Sequence, residues 1–153
     1  MSVTQKILDK LKSDFLLITI QNGYNTDIIK CHSTDKSLDE LQADEFDSFY
    51  IVGGQAKSTI MEGSLLEWRW IVGVRFYLSV DNDVDEGLLT QKIEGLKEDI
   101  TTLYNHWMNN SGNVTAGQVE EIEQILPSIM NPYFDPGDTK GVFDLFLEII
   151  YLT

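Results

Sequence analysis

LLEWRWIVGVRFYLSV, residues 65–80, is the stretch on which the fold turns. Its even positions, Leu66, Trp68, Trp70, Val72, Val74, Phe76, Leu78 and Val80, are all apolar. Its odd positions include Glu67, Arg69, Gly73, Arg75, Tyr77 and Ser79. Side chains on a strand point alternately to opposite faces, so the pattern predicts a β-strand with one buried and one mixed face. Strands usually run to about five or six residues. This one is long enough to reach past a single domain core, which suits a part built to pack and to assemble.

Working outward, Leu89, Ile93, Leu96, Ile100, Leu103 and Trp107 recur at alternating four- and three-residue spacing. That is the stripe of an amphipathic helix packed on a sheet. The heptads stop too soon for a coiled coil, and the run Asn109-Asn110-Ser111-Gly112-Asn113 ends the helix. Upstream, Phe49–Val52 reads as a strand that Gly53-Gly54 closes, and the polar residues up to Ser64 read as a connection. Strands 49–52 and 65–80 then pair antiparallel, because a parallel crossover needs a dozen or more residues, usually helical.

At the N-terminus, Val3, Ile7, Leu8 and Leu11 predict a helix over Ser2–Ser13 with Ser2 as its cap. Phe15–Ile20 is a helix end or a short strand, and Asp27–His32 a short strand. Asp35–Asp47 is acidic, with Leu38, Leu41 and Phe46 spaced through it, and is a short helix or a loop. Residues 118–129 have helical spacing, but Pro127 argues against a long helix; a strand ending at Pro127 is the alternative. Residues 131–141 hold Pro132, Pro136, Gly137 and Gly141 and form a loop. Val142–Leu152 is a final strand, with Phe143, Leu145, Leu147, Ile149 and Tyr151 on one face and Asp144 and Glu148 on the other. The order of elements gives a single α+β domain over 1–153, mainly antiparallel sheet with helices packed on one face.

The 153 residues favour one domain. A chain of that size buries about 68–70% of its unfolded surface and needs no disulfide or metal to fold. Its one cysteine, Cys31, fits a reducing compartment and leaves no disulfide framework. The start of the chain is no signal sequence, and Phe15–Ile20 is too short to span a bilayer. Twenty-five acidic residues against eleven basic ones give a net charge of −14. Such a field repels nucleic-acid phosphates and anionic membranes.

The candidate chemical motifs fail on detail. Asp81-Asn82-Asp83-Val84-Asp85 opens like a calcium loop, but Glu86 and Lys92 stand where glycine and a bidentate glutamate are required. Gly53–Thr59 echoes a phosphate loop with Ala56 where glycine must precede the lysine. Cys31 with His32 or His106 lacks any other marker of a nucleophile. The residues therefore point to no enzyme, catalytic site, cofactor or metal. Tyr133-Phe134, aromatic residues in a Pro/Gly loop, are a candidate partner contact.

Taken together, the helix Ser2–Ser13 followed by Gly23-Tyr24, the strand Phe49-Tyr50-Ile51-Val52, the alternating strand leading into helix 87–108, and the closing Glu148-Ile149-Ile150-Tyr151 resemble the tail terminator (tail completion) proteins of long-tailed bacteriophages. The resemblance covers most of the chain and is one of pattern. It implies a virion protein assembled in the host cytoplasm. Six copies would form a ring that caps the tail tube, stops its growth and meets the head-tail connector or head-closure protein. It also favours a strand at 118–127. DNA would pass through without specific binding, and Asp81, Asp83, Asp85 and Glu86, or the stretch 35–47, could line an acidic lumen. Arg69, Arg75 and Tyr77, on the odd face of the long strand, are the expected contacts with a neighbouring subunit. Another neck component, or an acidic inhibitor or immunity-like module for a basic protein, are the alternatives.

Overall fold

The computed structural model describes residues 2–60, 63, 65–81, 87–129 and 139–153. The chain forms helix α1 (Val3–Phe15), strands β1 (Lys30–His32), β2 (Ser48–Ile60) and β3 (Leu66–Ser79), helix α2 (Leu88–Asn109), and strands β4 (Ile122–Ile129) and β5 (Lys140–Leu152). One sheet of order β1-β2-β3-β5-β4 results. All its pairings are antiparallel except β1 with β2. The expected α+β domain, with helices on one sheet face, is what forms.

The long strand follows its alternation. Trp70, Val72, Val74, Phe76 and Leu78 are buried beneath the helices. Across it, Phe143, Leu145, Leu147, Ile149 and Tyr151 of β5 are buried on the same face. All six stripe residues of α2 join that core, with Ile7, Leu11 and Phe15 of α1. Phe15 packs edge-on to both Phe76 and Trp107, at 5.7 and 5.9 Å between ring centres. Ser2 caps α1 as its position suggests, accepting a 3.2 Å hydrogen bond from Gln5 N. α2 ends where Asn110 turns left-handed, at φ 48°.

Two expectations need correction. Gly53-Gly54 do not end β2, which runs on to Ile60 paired with β3. The glycines instead form an irregularity in the pairing between Gly53 and Ala56, and the Trp70 indole lies across it. A Cβ on Gly53 would sit 2.1 Å from Trp70 Cζ2. Trp70 Nε1 donates to Gly54 O at 2.8 Å. Second, of the helix and the strand open after Gln118 the strand forms, β4, and it includes Pro127 instead of ending there. It lies at the sheet's edge, where a missing N–H is tolerated. The alternatives open at 15–20 and 35–47 also resolve: α1 ends at Phe15, which is the helix-end reading, and 35–47 is a loop with short 3-10 turns at Leu38–Glu40 and Ala43–Glu45.

Candidate assembly surface

The sheet face turned away from the helices carries the odd residues of β3 and the even residues of β5. Half of it is covered. The segment 35–47 folds over the end of β3, and Leu38, Leu41 and Phe46 pack on Tyr77, Tyr50 and Val142 in a second, small core. Tyr77 is fully buried there and cannot meet a neighbouring subunit, contrary to the expectation from its odd position. Alternation gives a residue's face but not what covers that face. The Tyr77 hydroxyl donates to Asp35 Oδ1 at 2.5 Å and accepts from Lys36 N at 2.9 Å. Burial first, then the bond to Asp35, pushes its pKa up to about 12.

The other half is open. Val52, Ile71 and Phe146 are 48%, 46% and 40% exposed, an apolar stripe running across β2, β3 and β5. Gly73 lets the Phe146 ring lie over the strand, 3.5 Å from where a Cβ would be. Beside it is a shallow hollow of about 150 Å³ walled by Tyr50, Val52, Arg75, Asp144 and Phe146.

The two expected arginines bracket this stripe. Arg75 grips Asp144 with both ends of its guanidinium, at 2.9 and 3.2 Å, and reaches Asp35 at 3.6 Å. The hydrogen bonds to Asp144 hold its pKa above the ordinary arginine value. Arg69 lies 3.3 Å from Glu148 and 3.5 Å from Glu67 and is more exposed. Both arginines are thus neutralised within the chain, so they frame the patch instead of carrying free charge to it.

Asp81, exposed at the end of β3, is gathered with Asp44 and Asp47 around Lys92. Lys92 Nζ lies 2.7 Å from Asp47 Oδ2 and donates to Ser79 O at the same distance. Acids of the stretch 35–47 and Asp81, the first residue of the other acidic stretch, therefore meet around Lys92 at the end of β3. Asp83, Asp85, Glu86, Tyr133 and Phe134 lie outside the described residues.

Cys31 and His32 do not form a nucleophile pair. Neighbouring strand residues face opposite ways, and His32 Nε2 bonds Ser48 Oγ at 2.8 Å. Burial pushes the Cys31 thiol up, away from a reactive thiolate. Among the described residues no group of three or more His, Cys, Asp or Glu side chains is placed to hold a metal ion. No helix among them is long and apolar enough to cross a membrane.

Two buried carboxylates escaped the sequence reading. Asp14 accepts from Trp107 Nε1 (2.8 Å), Thr115 N (2.7 Å), Thr115 Oγ1 (2.9 Å) and Ala116 N (2.7 Å). Asp99 accepts from Asn25 N at 2.7 Å, from Thr26 N at 3.0 Å and from the Thr26 hydroxyl. Each ties a loop to a helix. The signal was present: each acid sits three residues after a leucine of its helix's apolar stripe, Leu11 or Leu96.

No protein-family model matches the chain, and no curated protein matches it.

Proposed function

We propose that the chain is a structural protein of a phage neck, a tail terminator whose copies form a ring on the end of the tail tube. The observation that carries this reading is the uncovered apolar stripe Val52–Ile71–Phe146 between two arginine–carboxylate clusters. The chain covers one half of its outer sheet face with 35–47 and leaves the other half bare. Bare apolar patches rimmed by polar groups mark association sites. The sequence resemblance supplies the identity of the assembly. The net charge of −14 suits a ring through which DNA slides without sticking, and the acids gathered around Lys92 are its lumen candidates. The ring's partners are then the tail tube protein on one side and a connector or head-closure protein on the other.

Solution mass, electron microscopy and incubation with growing tail tubes test this together. Hexameric rings and tubes of arrested length are expected. A second reading rests on the charge alone: an acidic inhibitor that covers a basic protein. Stable, salt-sensitive binding to a basic protein, with no affinity for tail tubes, would establish that reading and sink the first.

A further inference from the structure

We infer that the two edges of this sheet are complementary: the distal half of β2 in one copy adds, antiparallel, to the first half of β4 in the next. The inference deepens the ring reading above, on which it rests for self-assembly, and names the contact.

β1 pairs with β2 at Ser48, Phe49 and Tyr50 and no further. Among the described residues, no strand pairs with the outer edge of β2 from Val52 to Ile60. Long open edges are normally blunted by proline, by charges or by a covering element. Gly54–Ile60 has no proline and one charge, Lys57. On the opposite side of the sheet, β4 is likewise open among the described residues over Ile122–Leu126, until Pro127 withdraws its N–H.

The two open stretches lie at the same level. Reading across the paired strands, Lys57 is opposite Arg69, Arg69 opposite Ile150, and Ile150 opposite Gln124. Likewise Ser58 leads through Trp68 and Tyr151 to Ile122. The directions also agree. β2 and β5 run one way and β3 and β4 the other, so a neighbour's β2 laid beside β4 continues the antiparallel alternation. Charge agrees as well: Lys57 and the exposed Glu123 of β4 have no ion pair among the described residues. Strand addition of this kind supplies main-chain hydrogen bonds along the whole overlap. Because the two surfaces differ, the contact repeats head to tail and closes into a ring when the rotation allows.

Cysteine cross-linking of the full chain tests the contact. In a Cys31→Ser background, Lys57→Cys with Gln124→Cys, and Thr59→Cys with Gln124→Cys, cover two registers on the outer sheet face. Directly opposed residues of antiparallel strands lie within disulfide reach. Mild oxidation should give a ladder of reducible multimers for at least one pair, and monomers for each single-cysteine variant. As a second measurement, Lys57→Glu should weaken assembly about tenfold and Lys57→Glu with Glu123→Lys restore it. Dimers from Lys57→Cys alone would show β2 pairing with itself and overturn the inference, as would the absence of a ladder for both pairs. Rings that cap tail tubes without the cross-link would overturn this contact and keep the terminator reading. Cross-linked multimers that ignore tail tubes would keep the contact and overturn the terminator.

Discussion

Replacing Asp14 with alanine should cost the fold about 3–5 kcal/mol, the scale of breaking a buried charged network. The carboxylate is fully buried and accepts four hydrogen bonds, from an indole, a hydroxyl and two backbone N–H groups. Bonds to a charged group contribute about 1.5–3 kcal/mol each. Their simple sum overstates the loss, because removing the acid also removes the cost of burying it. The half-buried Thr115 can also turn its hydroxyl to water. What remains is three donors: Trp107 Nε1 and Ala116 N, stranded in the core at about 1–3 kcal/mol each, and the partly buried Thr115 N, at the lower end of that range. Domains of this kind are stable by about 5–15 kcal/mol in total, so the variant should still fold.

Chemical denaturation followed by tryptophan fluorescence measures the change, with Trp107 reporting directly on the lost bond. At about 2–4 °C per kcal/mol for a chain of this size, melting should fall by about 6–20 °C. Asp9→Ala is the control on the same helix. It removes a partly exposed acid that accepts one side-chain bond, from Gln5 Nε2 at 2.8 Å, and should change stability by less than about 0.5 kcal/mol. An Asp14→Ala variant within about 1 kcal/mol of the parent would refute the view that this acid pins α1 to the start of the 115–118 turn.

Gly53→Ala should destabilise by about 1–3 kcal/mol, read in a thermal melt, because its Cβ would sit 2.1 Å from the Trp70 ring; a neutral result would mean the indole does not cross β2 there. Tyr77→Phe should cost about 1 kcal/mol near neutral pH. The Tyr77 pKa is raised to about 12 from 10.0, so its phenol stabilises the fold fully below pH 10, and that contribution drains away as pH rises through 12. The gap between parent and Tyr77→Phe should accordingly close, then reverse, across that window in denaturation series; a constant gap would contradict it. Ile71→Asp should leave the melting curve of the isolated chain within about 0.5 kcal/mol, as expected of exposed positions, while abolishing assembly in sedimentation; intact assembly would remove the open stripe from the interface.

The periodic parts of this fold were legible because burial on one face writes itself into the sequence every second or every third to fourth residue. Strand 65–80, helix 87–108 and the closing strand were read that way, and their core residues with them. The misreadings occurred where local chemistry and tertiary context disagree. Gly53-Gly54 is ordinarily punctuation, yet here it makes room for an indole from the next strand. Residues 119–129 are no misreading but an ambiguity, helix or strand, because an edge strand with an irregular register also buries residues at uneven intervals. Ile125 is deep in the core while Gln124 and Ile129 are exposed. Tyr77 followed the alternation correctly and was still placed wrongly, because the acidic segment covering it lies 30 or more residues away in sequence.

The same contrast explains why the assembly surface divides into a part the sequence reveals and a part it hides. Arg69 and Arg75 are visible as odd-face residues, but their charge is spent on Glu148, Glu67, Asp144 and Asp35. An exposed, already paired arginine adds little free energy of its own, whereas Ile71 and Phe146 between them lose water-exposed apolar area on any contact. The edges are a backbone property and leave hardly any trace in residue type beyond the missing gatekeepers. Their match depends on a count that needs the register: four strands paired so that Lys57 and Gln124 share one level on opposite sides of the sheet. A shift of β4 by two residues would leave every buried face unchanged and move Pro127 into the overlap. The register of an edge strand thereby carries assembly information that the core does not require.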